Sequence, residues 1–310
     1  MVKDCEKRKN TNYSLFMLHQ NLYSRRQIIK STAAFAGLTA IAPWWEVFAS
    51  TNKPKYKIST CDWSINKGSD VEALAFAKKI GFDGVQVSLG TVANNMHLRR
   101  PEVQQAYKDA AKKQGVQISS LAIGELNNVP YKSEPITEEW VSDSIDVAKA
   151  MGCKVILLAF FGKGDLRGDE AGIQEVIRRL KKVAPKAEKA GIILGIESWL
   201  SADDHLKIIQ AVGSKNVRVY YDVANSTQMG YDIYEEMSRL GKEYICEVHA
   251  KENGFLLGQG KVDFARVKQI LDNMGFEGWV IIEGALPGGA DLYKSYVTNL
   301  KYLRSVLNKA

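Results

Sequence analysis

The sequence of 310 residues predicts an α/β fold, a (β/α)8 TIM barrel formed by one domain. Short apolar segments rich in β-branched and aromatic residues alternate with helical segments, which indicates parallel strands joined by right-handed crossovers. Eight such strand segments can be counted. A glycine follows most of the predicted helices and precedes the next strand, where a left-handed C-cap belongs. The number of strands, their alternation with helices and the glycines at the helix ends therefore all predict the barrel.

The predicted strands cover residues 57–61, 84–88, 116–121, 154–160, 192–197, 217–222, 244–249 and 279–283. The predicted helices cover residues 71–79, 101–113, 138–150, 170–189, 203–212, 231–240, 264–274 and 291–307. Pro101 suits the first turn of its helix, whereas Pro185 predicts a kink or interruption inside a helix. The glycines that predict the C-caps are Gly81, Gly115, Gly152, Gly191, Gly241 and Gly275.

Each of the last four predicted strands ends on a residue that can bind a metal ion. These residues are Glu197, Asp222, His249 and Glu283, at spacings of 25, 27 and 34 residues. A barrel of eight units spends about 31 residues on each unit, so the four ligands belong to successive units. The carboxyl ends of parallel strands share one face of the barrel, where the four side chains are expected to meet. A helix N-cap explains a single acidic residue at such a position, but it explains four in succession poorly.

Three carboxylates and one imidazole favour one hard divalent cation. We expect Mn²⁺ first, with Mg²⁺, Co²⁺ or Zn²⁺ as alternatives. A divalent ion that polarises a substrate carbonyl lowers the pKa of the neighbouring C–H group. Glu197 and Glu283 are the predicted acid/base pair for moving that proton. Reprotonation gives an epimer or an isomer, whereas loss of a β-oxygen gives a lyase product, and the pattern does not choose among these outcomes.

Residues 1–49 are predicted to be a twin-arginine export signal, followed by the barrel over residues 50–310. Arg25 and Arg26 precede an apolar pair and Lys30, and the apolar run that follows is too short to span a bilayer. Residues 47–49 offer a cleavage site of the small-x-small type. The alternative is a basic tail with a chance arginine pair. The signal predicts a periplasmic or otherwise exported protein whose mature chain is not inserted in the membrane.

The composition, 45% hydrophobic and 25% charged residues, excludes a disordered or membrane-spanning chain. Seven basic and three acidic residues give residues 1–49 a net charge of +4 out of the total of +7. The net positive charge left for the barrel is too small to argue for a nucleic-acid partner. After residue 49 three cysteines remain, Cys61, Cys153 and Cys246, and we expect buried thiols rather than a disulfide framework.

With these residues in view, the chain resembles the sugar phosphate isomerase/epimerase superfamily, the xylose-isomerase-like barrels, over roughly residues 57–307. The motifs that carry the resemblance are Ile196-Glu197-Ser198, Tyr221-Asp222, Val248-His249-Ala250-Lys251-Glu252, residues 257–264 and residues 278–283. The resemblance implies that Glu197, Asp222, His249 and Glu283 bind one divalent metal and that the two glutamates flank the substrate. It also implies a small-molecule carbohydrate substrate, and it leaves homo-oligomerisation open.

The chain departs from one branch of that superfamily. Many keto-sugar epimerases have a histidine three residues after the metal-binding aspartate, where this chain has Asn225. They also have an arginine after the metal-binding histidine, for which Lys251 and Glu252 are the nearest polar candidates. A lysine two residues after the histidine resembles the inosose dehydratase branch instead.

Several side chains near the strand ends are predicted to contact the substrate. These are Trp63, Gln86, Trp199, Asn225, Lys251 and Glu252. The tryptophans could instead pack at the rim, and Gln86 could cap a loop. Glu125 is expected to be a solvated loop acid, and neither His97 nor His205 is expected to be a ligand. Residues 161–164 and 287–289 are weak candidates for a phosphate site, and an unphosphorylated sugar or glycoside is favoured.

The sequence therefore predicts a divalent-metal-dependent isomerase or epimerase acting on a keto-sugar or related carbohydrate. The alternative is a metal-dependent lyase or dehydratase acting on a keto-sugar, an inosose or a 3-keto-glycoside. A nuclease of the endonuclease IV kind is disfavoured because its zinc cluster needs several histidines, and only His97, His205 and His249 follow residue 49. A non-catalytic sugar-binding barrel is disfavoured because the four-ligand set is intact.

Overall fold

The computed structural model describes residues 56–308, which form a closed barrel of eight parallel strands in sequence order. The strands are β1 (Ile58–Cys61), β2 (Gly84–Ser88), β3 (Gln117–Ile123), β4 (Val155–Phe160), β5 (Ile193–Ser198), β6 (Val217–Asp222), β7 (Ile245–Ala250) and β8 (Val280–Ile282). Strand β8 closes the barrel by pairing with β1, with Ile58 opposite Val280. The predicted (β/α)8 fold is confirmed.

Helices connect the strands around the outside of the barrel. They are α1 (Ala73–Ile80), α2 (Pro101–Gln114), α3 (Ile136–Met151), α4 (Glu170–Ala190), α5 (Ala202–Val212), α6 (Val223–Gln228), α7 (Ile233–Tyr244), α8 (Phe264–Asn273) and α9 (Leu292–Leu307). Gly81, Gly115, Gly152 and Gly191 cap their helices in the left-handed conformation, as predicted. Gly275 has a φ of 64° directly after the cap residue of α8. Gly241 has a φ of 59° but a ψ of −174° and lies inside α7, so the left-handed cap predicted there is wrong.

Two helices differ from the prediction. Helix α4 continues past Pro185 to Ala190, so the predicted interruption is wrong. A proline removes one backbone donor, and the buried face of this 21-residue helix holds it in place despite that loss. The short helix α6 was not predicted. It begins directly after β6 because Asp222 caps it, accepting hydrogen bonds from the backbone N–H groups of Ala224 and Asn225.

The barrel interior holds its own cluster of buried side chains, separate from the larger core between barrel and helices. Alternate residues of a strand point to the same face, so Tyr220 lies beneath Asp222 and Ile281 beneath Glu283. Gly195 leaves the room that Tyr220 fills. A Cβ atom at Gly195 would lie 3.2 Å from the Cβ of Tyr220 and 2.8 Å from Cys246 Sγ. The interior layer thus supports the residues at the strand ends.

Cys61, Cys153 and Cys246 are free and buried, as predicted. Within residues 56–308, no helix combines the length and the apolar character that crossing a membrane requires. The predicted export signal at residues 1–49 lies outside the described residues and stays a prediction.

Candidate metal centre

The structure brings the four predicted ligands together at the C-terminal face of the barrel. Glu197, Asp222 and His249 lie in β5, β6 and β7, and Glu283 directly follows β8. One nitrogen or oxygen atom from each side chain lies within 4.8 Å of the others. Three carboxylates and one imidazole that converge in this way are typical of a site for one hard divalent cation.

The imidazole of His249 turns its Nδ1 atom toward the three carboxylates. Nδ1 lies 2.7 Å from Glu197 Oε1, 3.6 Å from Glu283 Oε2 and 3.8 Å from Asp222 Oδ2. Burial of the ring opposes its protonation. The negative charges of Glu197 and Glu283 outweigh burial and raise the pKa of His249 to about 9. A cation that binds here takes the place of a proton on this nitrogen.

Asp222 provides the observation that most directly points to a cation site. Its Oδ1 atom accepts the two backbone hydrogen bonds that cap α6, at 2.8 Å and 2.9 Å. Its Oδ2 atom is buried and has no hydrogen-bond partner, and the nearest cation, Lys251 Nζ, lies 3.5 Å away. A buried carboxylate oxygen without a donor is unfavourable unless a cation satisfies it. The residues therefore fit a divalent metal ion.

The two glutamates differ in their affinity for a proton. Burial raises the pKa of Glu197 to about 7. Burial acts in the same direction on Glu283, but the positive charges of Lys251 and His249 prevail and lower its pKa to about 2. Glu283 also accepts hydrogen bonds from Trp63 Nε1 and Lys251 Nζ, both at 2.8 Å. Two carboxyl groups whose environments separate their pKa values in this way are suited to distinct acid and base roles.

A chain of hydrogen bonds beneath the cluster fixes the orientation of His249. Gln86 Oε1 accepts a hydrogen bond from His249 Nε2 at 3.0 Å, while Gln86 Nε2 donates a hydrogen bond to the hydroxyl of Tyr220 at 2.9 Å. The Tyr220 ring also packs edge-on against the imidazole, with 4.6 Å between centroids. Once a cation had displaced the proton from Nδ1, this hydrogen bond from Nε2 would keep the Nδ1 lone pair directed toward the carboxylates. Gln86 is fully buried and does not line the pocket described below, so its predicted substrate contact stays a prediction.

The interior layer beneath the candidate ligands contains two residues that were not predicted from the sequence, Glu247 and Tyr220. Glu247 is buried in β7 beside Ser120 and Tyr220, and burial raises its pKa to about 8. Glu247 and Tyr220 lie two residues before His249 and Asp222, respectively. Strand alternation predicts that such residues share the inward face, and this signal could have found both of them.

A pocket of about 450 Å³ opens above the cluster, and both glutamates line it. Four of the predicted substrate contacts also line the pocket: Trp63, Trp199, Asn225 and Lys251. Phe161, which was not predicted, packs edge-on against Trp199 with ring centroids 5.0 Å apart. The volume and the mixture of aromatic and polar walls are typical of small-molecule sites.

Comparison with known proteins places this architecture in a family. The sequence profile of the family described as "Xylose isomerase-like TIM barrel" matches residues 74–306. The chain belongs to this family. The match begins at α1 and ends in α9, so it includes all four candidate ligands.

Two curated relatives of this xylose isomerase-like barrel are epimerases of phosphorylated substrates. The chain is 22% identical to 2-epi-5-epi-valiolone 7-phosphate 2-epimerase of Actinoplanes sp., over 63% of this chain and 72% of the relative. It is 26% identical to L-ribulose-5-phosphate 3-epimerase of Escherichia coli, over 69% of this chain and 81% of the relative.

Solved structures share the fold at lower identity. The 3-keto-D-glucoside 4-epimerase of E. coli superposes with a TM-score of 0.67 at 17% identity, covering 81% of this chain and 99% of that one. The D-psicose 3-epimerase of Clostridium cellulolyticum H10, solved with D-tagatose, gives a TM-score of 0.69 at 17% identity, covering 82% and 100%.

In this xylose isomerase-like barrel, Glu252 organises a loop instead of lining the pocket. Its carboxylate is buried and accepts the backbone N–H groups of Lys261 at 3.2 Å and Val262 at 3.1 Å. The carboxylate approaches Gly260 so closely that a Cβ atom there would lie 2.0 Å from Glu252 Oε2. Its oxygens hold the segment that leads into α8, and its predicted substrate contact stays a prediction.

His97 and His205 lie outside the cluster of four candidate ligands, as expected. His205 is buried in α5, where Nδ1 donates to the Ser201 carbonyl at 3.0 Å and Nε2 lies 2.9 Å from Ser198 Oγ. His97 is buried in the segment between β2 and α2. Glu125, predicted to be a solvated acid, is half-buried and lines the pocket.

Proposed function

We propose that the protein is a divalent-metal-dependent isomerase or epimerase that acts on a keto-sugar or related carbohydrate. The observation that carries this proposal is the buried, unpartnered Oδ2 of Asp222 among the converging ligands, directly beneath a pocket. Family membership and the epimerase relatives support it.

Glu197, Asp222, His249 and Glu283 would hold the cation, with Mn²⁺ first and Mg²⁺, Co²⁺ or Zn²⁺ as alternatives. When bound, such a cation acts as a Lewis acid that polarises a carbonyl and stabilises the charge that develops after deprotonation. It also favours the ionised form of the carboxylates around it.

The chain's own residues then move the proton. Glu283 is already ionised and is oriented by Trp63 and Lys251, so it is suited to remove the proton from the carbon next to the carbonyl. Glu197 also lines the pocket and is suited to return a proton. Strands β6 and β7 separate Glu197 on β5 from Glu283 after β8, so the two carboxyl groups approach the pocket from different sides. Proton removal on one side and return on the other inverts the carbon.

The pocket walls would orient the sugar. Trp63 and Trp199 present aromatic rings that can pack against the apolar face of a sugar ring, and Asn225 offers an amide to a hydroxyl group. Lys251 is held as a cation because Asp222 and Glu283 raise its pKa despite burial. It therefore supplies a fixed positive charge at the pocket wall.

A lyase or dehydratase is the second candidate, and Lys251 is the observation that favours it. Its ammonium group lines the pocket 2.8 Å from Glu283. A cation at that place could stabilise the charge on a departing oxygen after Glu283 has removed the proton. A multinuclear nuclease centre is disfavoured because it needs several histidines. Among residues 56–308, the group of side chains close enough to share a metal ion contains one histidine.

Proton exchange in D₂O separates these candidates. The protein would be loaded with Mn²⁺ and incubated with a panel of ketoses and 3-keto-glycosides, and the products followed by NMR. We expect deuterium at the carbon next to the carbonyl together with a new epimer or isomer. Deuterium without an epimer, accompanied by an unsaturated ketone, would favour the lyase. Absence of metal-dependent exchange across the panel would contradict both.

A further inference from the structure

The pocket of about 450 Å³ is lined by one cationic side chain, Lys251, and three carboxylates, Glu125, Glu197 and Glu283. Glu197 and Glu283 are proposed metal ligands whose charge a bound cation would offset, so Glu125 is the lining carboxylate left to act on the substrate. Lys251 is already engaged, at 2.8 Å from Glu283 and 3.5 Å from Asp222. Sites for phosphate groups provide basic side chains or helix N-termini with free N–H groups. Among residues 56–308, the lining of this pocket provides no unpaired cation.

Neither phosphate candidate of the sequence brings a cation to the pocket. Of residues 161–164, Phe161 lines the pocket. Lys163 follows β4 but is exposed and does not line it, and residues 287–289 do not line it either. Arg167 is the guanidinium stacked on Trp199, 4.6 Å from the ring. Its charge is committed to Asp165, to which it donates hydrogen bonds from Nε at 3.0 Å and Nη2 at 2.8 Å.

Glu125 lies on the side of the pocket opposite the candidate metal ligand His249. Glu125 and Asn127 follow β3, which lies across the closed barrel from β7 and His249. A sugar held at the metal ligands would extend its other end toward this side. There it would meet Glu125, hydroxyl and amide groups such as Thr91, and the Phe161 ring. A dianion at that end would lie against a carboxylate, whereas hydroxyl groups would find acceptors.

We infer that the substrate is a neutral, unphosphorylated carbohydrate, in contrast to the phosphorylated substrates in the names of the two curated relatives. This inference rests on the proposed function of the same pocket. It assigns Glu125 a role in specificity: its charge excludes a phosphate from the end of the pocket opposite the metal ligands.

Matched pairs of sugars test the inference. The probes are D-fructose and its 6-phosphate, D-tagatose and its 6-phosphate, and L-ribulose and its 5-phosphate. Binding to the Mn²⁺-loaded protein would be measured by calorimetry, and proton exchange in D₂O by NMR. We expect at least one neutral sugar to bind ten times more tightly than its phosphate, and no phosphate to bind more tightly than its neutral partner.

Charge inversion at Glu125 adds a second readout. Glu125→Lys should reduce the preference for the neutral sugar at least tenfold. Asp109→Lys makes the same change of charge on the exposed face of α2, outside the pocket, and should leave the preference unaltered. An unchanged preference in a folded Glu125→Lys protein would overturn the inference.

The outcomes for the inference and for the proposed function are distinct. If the phosphates bind as tightly as the neutral sugars and exchange protons, the inference fails and the proposed function stands. If neutral sugars bind preferentially but exchange no proton, the proposed function fails and the inference stands. If no member of any pair binds, the inference fails as well.

Discussion

Replacing Gln86 by leucine tests whether the layer beneath the cluster prepares His249 for a cation. The substitution keeps a side chain of similar size in the barrel interior and removes both amide groups. His249 Nε2 then loses its acceptor at 3.0 Å, and the Tyr220 hydroxyl loses its donor at 2.9 Å. Without that acceptor, the imidazole can place its proton on Nδ1, where Glu197 Oε1 lies 2.7 Å away and can accept it.

The expected loss can be estimated from the bond that is removed. A buried donor left without an acceptor costs about 1–3 kcal/mol. If metal binding requires the proton on Nε2, this cost falls on the metal-bound state. Since about 1.4 kcal/mol corresponds to a tenfold change in Kd, we expect metal affinity to fall about 10- to 100-fold, which is the usual effect of removing a residue that orients a ligand.

Titration of Mn²⁺ into the metal-free protein measures this loss, and urea unfolding checks that the variant is folded. Tyr220→Phe keeps the ring against His249 but removes the oxygen that holds Gln86, so it should give a smaller loss. Gln105→Leu is a matched control, because Gln105 lies exposed on α2 and is hydrogen-bonded to Asp109. A folded Gln86→Leu protein with the Kd of the Gln105→Leu control would refute the reasoning.

Three further predictions concern proton transfer, acid stability and export. Glu197→Gln and Glu283→Gln should each lower turnover by about 10²–10⁴, and near-normal turnover of the metal-loaded variants would place the acid/base groups elsewhere. Burial lowers the pKa of His205 from 6.5 to about 4, so the unfolded chain binds a proton that the folded chain refuses. The contribution of His205 to stability should therefore fall by about 3 kcal/mol as the pH drops from 6.5 to 4. Urea unfolding of His205→Gln should lack this contribution, and an unaltered pH dependence in the variant would contradict the assignment. Replacing Arg25 and Arg26 by lysine should leave unprocessed protein in the cytoplasm, and unchanged processing would exclude the twin-arginine route.

The ligand positions could be predicted because two regularities coincide there. Each predicted ligand closes an apolar strand, and the intervals match the length of one barrel unit. Asp222 shows that the two interpretations of an acidic residue after a strand need not compete. Its Oδ1 caps α6, as a helix N-cap would, while its Oδ2 faces the other ligands. The sequence pattern could not predict that the two oxygens of this one carboxylate have different roles.

The interior layer was harder to predict because strands buried on both faces do not alternate in polarity. The register between β2 and β3 also shifts between Val85 and Gln86, which disturbs the parity that would place Gln86 inside the barrel. Glu252 illustrates a different limit. Its partners are the backbone groups of residues 260–262, and loops that fold back on themselves carry no periodic signal.

The stoichiometry of metal binding tests the central claim most directly. Equilibrium dialysis with Mn²⁺ should find about one ion per chain in the unaltered protein. Asp222→Asn retains an oxygen that can cap α6 but loses the charge, and His249→Gln removes the imidazole. Both variants should lose most of the bound ion while remaining folded by urea unfolding. Full retention of one ion per chain in both variants would contradict the four-ligand site.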